Sequence, residues 1–459
     1  MCLAQISNWI CLVMKCLHTP PALVRLLLLI SLVSSEVKAS QHKFSPPIIF
    51  VPGYGMGALR VEVERKGRPA ANFDFLLPAM NPVEVFAGFQ PPVASALDYA
   101  RQSGLDEADA ALVRNWLKLE IAADGSAQNR RGVRVRPVSI GKNFKRECPR
   151  YAGMMKSLTS EGWIPNETLD CIPFDYRFPP GETQFASDLR DLIISHVAQS
   201  KGKKVTIACH SQGCLLAYQF LRTQDPVWVA QHVGLFFSLA GQFSGCSDCL
   251  RWAFQKEWSW DNDNELVSPS DMTWVGELAL GLQTSVYGEE ILYRWGDSSY
   301  RARDARSLLL EAGALEIAKA TDHYALEKQE WFQKGDRDRE PLSVPTRVIF
   351  GTDLPTTAGF AFRRKASLKA NCRHPQCGGL YSQDYPASIL TSGDQGDSDW
   401  MNRAPRLWLR NPACEMKGFA FVSHMEIFEE AEVLSLLIKT VREIASGHDA
   451  CSPAMALRR

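Results

Sequence analysis

Residues 207–221 read IACHSQGCLLAYQFL. An apolar run over 205–208 stops at Cys209 and His210, a serine follows at 211, and residues 212–222 carry helical spacing. Strand, serine on a turn, then helix is the layout of a nucleophile elbow, usually written G-x-S-x-G. This chain offers Cys209-His210-Ser211-Gln212-Gly213. An elbow holds its serine in a strained backbone conformation, and small flanking residues keep strand and helix from colliding. Gly213 meets that need; Cys209 departs from glycine but is small. A lone serine in such a loop is by default structural, so its meaning rests on the rest of the chain.

Outward from the elbow, strand-like and helix-like runs alternate. Residues 48–51 are an apolar run that opens into PGYGMG at 52–57, a buried strand feeding a glycine-rich loop. Helical patterns follow at 151–163 and 185–198, and an apolar strand at 233–239 ends at Ala240-Gly241. Alternation of this kind predicts a parallel sheet covered on both faces, an α/β architecture. Residues 245–342 break the rhythm and are rich in Trp, Asp and Glu; the stretch is too long for a loop and reads as an inserted helical cap. The sheet resumes at 347–350, TSGDQGDSDW lies at 391–400, and a strand at 418–422, His424 and a helix at 427–444 close the domain.

The chain has 459 residues, 46% hydrophobic and 22% charged, with a formal net charge of zero. Balanced charge gives no reason to expect a nucleic-acid partner, and the run Arg130, Arg131, Arg134, Arg136 reads as a solvated hairpin. Lys15 and Arg25 precede an apolar run at 26–33, followed by Ser34, Ser35, Ala39 and Ser40. That order predicts a secretory signal over 1–40, with Met14 as an alternative start and an uncleaved anchor as the competing reading. The run is short against the roughly 20 apolar residues of a membrane span. Of 13 cysteines, ten lie beyond the signal, and a secreted chain oxidises some of them. Cys246/Cys249 and Cys372/Cys377 are close pairs that read as disulfides rather than as a zinc site with His374, because no convincing second ligand pair accompanies them. Asn166-Glu167-Thr168 is a glycosylation sequon. The expected location is the secretory pathway: secreted, lysosomal or another endomembrane lumen.

A serine nucleophile needs a base, and the base needs an orienting carboxylate. In hydrolases of this layout the chain order is Ser, acid, His. His424 follows the last strand and precedes a helix, where that histidine belongs. His210 is next to Ser211, but its side chain should diverge and serve in packing; His323 falls in the cap. Three acids compete, Asp353, Asp394 and Asp397, and strand position alone favours Asp353. An oxyanion hole needs two N–H groups. Gln212 supplies one and the PGYG loop, through Tyr54, the other.

With these residues assembled, the chain from about 46 to 444 resembles the lecithin:cholesterol acyltransferase family, which includes phospholipid:diacylglycerol acyltransferases and a lysosomal phospholipase A branch. PPIIFVPGYGMGALRVE resembles its opening strand and oxyanion loop, RNWLKLEIAADGSAQNRRGVRVRP the segment after it, and PFDYRFPP its Asp-Trp-Arg motif, with Tyr176 for Trp. ACHSQGCLLAYQFL, FFSLAGQFSG and VIFGTDLPTTAGFAF follow in the family's order. The resemblance implies an α/β-hydrolase fold over 41–459, with a lid and membrane-binding insert at 58–145 besides the cap at 245–342. It also moves the acid: the family carries Gly where Asp353 stands, and its acid motif aligns best with Gly396-Asp397, so Asp397 is preferred and Asp394 is the runner-up. Ser211 and His424 match the family's nucleophile and base, Tyr54 and Gln212 its oxyanion donors. Two cysteines expected between 61 and 147 for a lid disulfide are absent. The apolar stretch 73–89 reads equally as a lipid-facing loop or as buried packing.

The resemblance implies phospholipase A and O-acyltransferase chemistry through an acyl-enzyme. The phospholipid's acyl group passes to water or to a lipid alcohol such as a sterol or diacylglycerol, at a membrane or lipoprotein surface, with no metal or organic cofactor. A lipid-binding protein without catalysis and a secreted esterase of small soluble esters are the rival readings.

Overall fold

Ile48, Ile49, Phe50 and Val51 are apolar on both faces of a strand, so the strand belongs inside a covered sheet. They form β1 (Ile48–Val51), wholly buried. The structure is a computed structural model that describes residues 45–77, 104–246, 273–276, 284–295, 297–311, 315–325, 341–362, 387–395, 403–449 and 451.

Around β1 lie β2 (Leu169–Cys171), β3 (Val205–His210), β4 (Val233–Leu239), β5 (Thr346–Thr352) and β6 (Met416–Ala420). They form one six-stranded sheet in the order β6-β5-β4-β3-β1-β2, every pair parallel. The register sets Val51 beside Cys209 and His210 beside Leu239, so the carboxyl ends of β1, β3 and β4 finish level with one another. In open parallel sheets the crevice beyond those ends is where ligands bind.

Helices α1 (Ala152–Ser160), α2 (Phe185–Gln199), α3 (Gln212–Thr223), α4 (Pro226–His232) and α5 (Ala431–Ala445) pack on the sheet and on one another. α3 is buried almost all round, as a helix between sheet and cover must be. α5 instead buries one stripe, Val433, Leu434, Leu437 and Val441, at helical spacing against β4 and α1. A disulfide joins Cys148 to Cys171 at the β2 edge, and another joins Cys414 to Cys451.

The region predicted to be a lid insert contains a three-stranded antiparallel sheet in the order Ala71–Phe75, Leu59–Val63, Val133–Pro137. Phe73, Phe75 and Leu77 are buried in it, so the described start of the apolar stretch packs under the protein; residues 78–89 lie outside the described residues. The basic run ends on this sheet, where Arg136 Nη2 lies 2.7 Å from Glu62 Oε1. The segment read as a helical cap is mixed. Its short helices accompany a hairpin, Tyr293–Trp295 with Ser298–Tyr300. Leu354–Phe362 and Ala387–Gly393 extend that hairpin into a four-stranded sheet. Three-residue strands paired to a segment nearly 70 positions later leave no periodic signal in a local window. Among the described residues no helix is long and apolar enough to cross a membrane.

Candidate active site

At the end of β3 the chain turns sharply into α3, with Ser211 at φ 54° and ψ −128°. A non-glycine residue there costs about 1–3 kcal/mol and persists only where surroundings enforce it. Three constraints are visible. Ser211 N–H donates to Leu239 O at 3.0 Å, tying the turn to β4. Gly213 lies so close to the end of β1 that a Cβ on it would sit 2.2 Å from Pro52 O. The third is a disulfide between Cys209 and Cys214, which closes a ring around Ser211 with the Cα atoms 4.9 Å apart. The cysteine that departs from the usual glycine is therefore bonded across the elbow.

The loop after β1 comes close to the serine: a Cβ on Gly53 would lie 3.0 Å from both Ser211 Cβ and His210 Nδ1. Tyr54, next in that loop, is buried with its ring edge-on to Tyr176 at 5.2 Å. Gln212 is the first residue of α3, where an N–H has no intrahelical acceptor. Its side chain is buried too, with Nε2 donating to Gly276 O at 3.1 Å. Of the two residues expected to supply the oxyanion hole, Gln212 follows Ser211 directly, and Tyr54 follows Gly53, which lies against the serine.

His424 arrives on the loop after β6. Its Nε2 lies 3.0 Å from Ser211 Oγ and its Nδ1 3.1 Å from Asp394 Oδ2. The carboxylate accepts from Nδ1–H, which leaves Nε2 free to accept the serine proton. Asp394 is fully buried, and its carbonyl oxygen also accepts His424 N–H at 2.7 Å. Gly351 in β5 makes room for this loop: a Cβ there would stand 2.9 Å from Asp394 Cβ and 1.9 Å from Val422 O.

Asp397, the preferred acid of the sequence reading, lies outside the described residues, and the carboxylate against His424 is the runner-up, Asp394. The physical reason is strand geometry. Ala387–Gly393 delivers the next residue, Asp394, against His424, whereas the motif match lies three residues further on. Asp353, favoured by position alone, is exposed and accepts from Thr352 Oγ1 at 2.8 Å. His374 lies outside the described residues; His323 sits in the short helix Thr321–Ala325. Cys246 is disulfide-bonded, while Cys249, Cys372 and Cys377 lie outside the described residues. Among the described residues no cluster of three or more His, Cys, Asp or Glu could hold a metal ion.

His210 does pack behind the serine, but it also bonds. Its Nε2 is 2.9 Å from His424 O, and its Nδ1 is 2.9 Å from the Tyr151 hydroxyl. Complete burial, reinforced by the neighbouring His424, pushes its pKa well below the usual histidine value. Tyr151 was not among the residues singled out from the sequence; nothing in PRYAG marks it, because its partners lie 59 and 98 positions away.

A parallel sheet with a strained serine after β3, a histidine after the last strand and a buried carboxylate between them defines an α/β-hydrolase fold. A chain of the crystallised Tle4–Tli4 complex shares the architecture at a TM-score of 0.50 and 12% identity, covering 88% of this chain and 99% of that one. Residues 106–255, which include the elbow, match the sequence model of the lecithin:cholesterol acyltransferase family. Human phosphatidylcholine-sterol acyltransferase is 22% identical over 209 residues, which is 38% of this chain and 48% of that protein. The canine lysosomal phospholipase A and acyltransferase is 24% identical over 257 residues, 50% of this chain and 58% of that protein. Over these stretches the chain is similar to the lecithin:cholesterol acyltransferase family, and its matches span about half the length of these curated relatives.

Proposed function

We propose that the protein is a serine-dependent phospholipase A and O-acyltransferase acting on phospholipid esters. The observation that carries this reading is His424 standing between Ser211 Oγ at 3.0 Å and Asp394 Oδ2 at 3.1 Å in a buried site. His424 Nε2 takes the Ser211 proton as the oxygen attacks the ester carbonyl. Asp394 fixes the tautomer of His424 and stabilises the imidazolium. The N–H groups of Gln212 and Tyr54 face the developing oxyanion. The imidazolium then protonates the leaving lysophospholipid oxygen, and an acyl group remains on Ser211. In the second half, His424 deprotonates water or a lipid alcohol, which attacks the acyl-enzyme and restores the serine. All proton and acyl transfers run through side chains of this chain, so the reading requires no cofactor.

A sterol or diacylglycerol fits the acceptor role, and a membrane or lipoprotein surface the source of substrate; relatives named for acyl transfer to sterol and for phospholipase A activity support a phospholipid substrate and a sterol acceptor. Disulfides at the β2 edge, at the elbow and near the C-terminus support a secretory-pathway lumen. Asn166 is exposed on a turn, as a glycan acceptor must be.

The test is phospholipid turnover on vesicles, with and without sterol or diacylglycerol, for wild type, Ser211→Ala, Asp394→Asn and Asp397→Asn. Loss in the first two variants with retention in the third is expected. Free fatty acid as sole product marks a hydrolase; acylated sterol or triacylglycerol marks a transferase. A folded wild type that turns over nothing, or only small soluble esters, would overturn the reading in favour of a lipid-binding protein or a soluble esterase.

A further inference from the structure

We propose that Tyr151 and His210 form a buried hydrogen-bond relay that positions the catalytic histidine and the loop after β1 relative to each other. The proposal rests on the acyl-transfer reading of the site and names two positioning residues for it.

The direction of every bond in the relay follows from proton counting. His210 is fully buried and neutral, so one ring nitrogen carries a proton and the other accepts. Its Nε2 faces the carbonyl oxygen of His424 at 2.9 Å, and a carbonyl only accepts. Nε2 is therefore the protonated nitrogen, and Nδ1 is an acceptor. The Tyr151 hydroxyl, 2.9 Å from Nδ1, must then donate to it. Met56 Sδ is equally close to that hydroxyl at 2.9 Å, but a thioether is the weaker acceptor. The lone pair of the same hydroxyl accepts Gly53 N–H at 2.8 Å. The result is one continuous chain, from Gly53 N–H through the phenol and His210 to the carbonyl of His424.

Both ends of this chain matter for the reaction. Gly53 precedes Tyr54, the proposed oxyanion donor. His424 is gripped at both backbone groups: its N–H is taken by Asp394 O at 2.7 Å and its carbonyl by His210. The rings are equally constrained. Tyr151 packs 4.4 Å from Phe50 and 4.5 Å from Phe428, and His210 packs 4.9 Å from both His424 and Phe428. The phenol ring is thus held by packing and its oxygen by the relay, so removing the oxygen alone leaves the packing in place. Each acts through the backbone it holds, Tyr151 through Gly53 N–H and His210 through the carbonyl of His424.

Two experiments test this. In 15N-histidine-labelled wild type, His210 should show the Nε2-protonated tautomer unchanged from about pH 5 to about pH 8. An Nδ1-protonated His210, or one that titrates as an ordinary histidine, overturns the relay without any activity assay. In Tyr151→Phe, the rate of Ser211 labelling by a fluorophosphonate and kcat on phosphatidylcholine vesicles should fall about 10- to 100-fold with KM unchanged, the scale of a misplaced catalytic group. A folded Tyr151→Phe with wild-type kcat and labelling overturns the positioning role. If wild type neither labels at Ser211 nor turns over phospholipid, the acyl-transfer reading fails instead, while the tautomer still reports on the relay. Should Tyr151→Phe fail to fold, the wild-type tautomer decides.

Discussion

Asp394 holds His424 twice, through a carboxylate oxygen 3.1 Å from Nδ1 and through a carbonyl oxygen 2.7 Å from the backbone N–H. Asp394→Asn keeps the backbone bond and the shape but no longer favours the Nδ1–H tautomer. Turnover should fall by about three to four orders of magnitude. Asp397→Asn should leave it within a few-fold. Steady-state kinetics of both variants on phospholipid vesicles check this, and equal losses would reject Asp394 as the sole orienting acid.

Gly351 gives a second prediction. A methyl group there meets Val422 O at 1.9 Å and Asp394 Cβ at 2.9 Å, and backbone cannot yield as a flexible side chain does. Gly351→Ala should destabilise by about 1–3 kcal/mol through overpacking. It should also lower kcat, because the strain falls on the loops that carry Asp394 and His424. Urea unfolding combined with turnover would show both effects; a stable, fully active variant contradicts the packing described.

The elbow disulfide gives a third. Cys209 and Cys214 are separated by five positions, so the bridge closes a short ring. The chain-entropy model assigns such a ring about 2 kcal/mol. The double variant Cys209→Ala/Cys214→Ala should lose about that much in equilibrium unfolding and lose nucleophilicity at Ser211, whose positive φ is less firmly held. Non-reducing peptide mapping should recover the two cysteines in one bonded fragment, and free thiols at both would refute the bridge.

pH dependence follows from Glu147. Its side chain is buried beside Asp170, with Oε1 accepting from Lys142 N–H at 2.9 Å and Asn143 N–H at 3.2 Å. Burial pushes its pKa up, the two N–H bonds pull it down, and the neighbouring Asp170 charge pushes it up further, for a net rise. A carboxyl whose pKa is higher folded than unfolded binds its proton more tightly in the native state. Its contribution is therefore greatest in acid, and is lost as pH rises from about 4.5, the unfolded value, through the raised folded value. Glu147→Gln should flatten that part of the stability–pH curve and narrow the gap to wild type toward acid pH. Denaturation midpoints across the range test it, and parallel curves would contradict it.

Much of the site was legible along the chain because its parts are local. The elbow needs a strand, a serine and a helix within a dozen residues, and IACHSQGCLLAYQFL carries all three. His424 was legible for the same reason, since it sits between a strand and an amphipathic helix. The bond between Cys209 and Cys214 is not legible along the chain, because pairing depends on how the strand end and the helix start face each other.

The sequence by itself determined the alternation of buried strands and helices, the serine at a strand–helix turn and the histidine after the last strand. Hydrophobic periodicity and turn chemistry act over a few residues and are written in order. Only the tertiary structure decided which of the aspartates meets His424. It also decided that the hairpin at Tyr293–Tyr300 joins a strand nearly 70 residues later, and that Tyr151 reaches His210 and Gly53. Each of these is a contact between groups far apart in the chain. The contacts of the site exist because the parallel sheet brings its carboxyl ends together in three dimensions, and the hairpin's pairing because a second sheet forms across the insert, geometries that no window of residues contains.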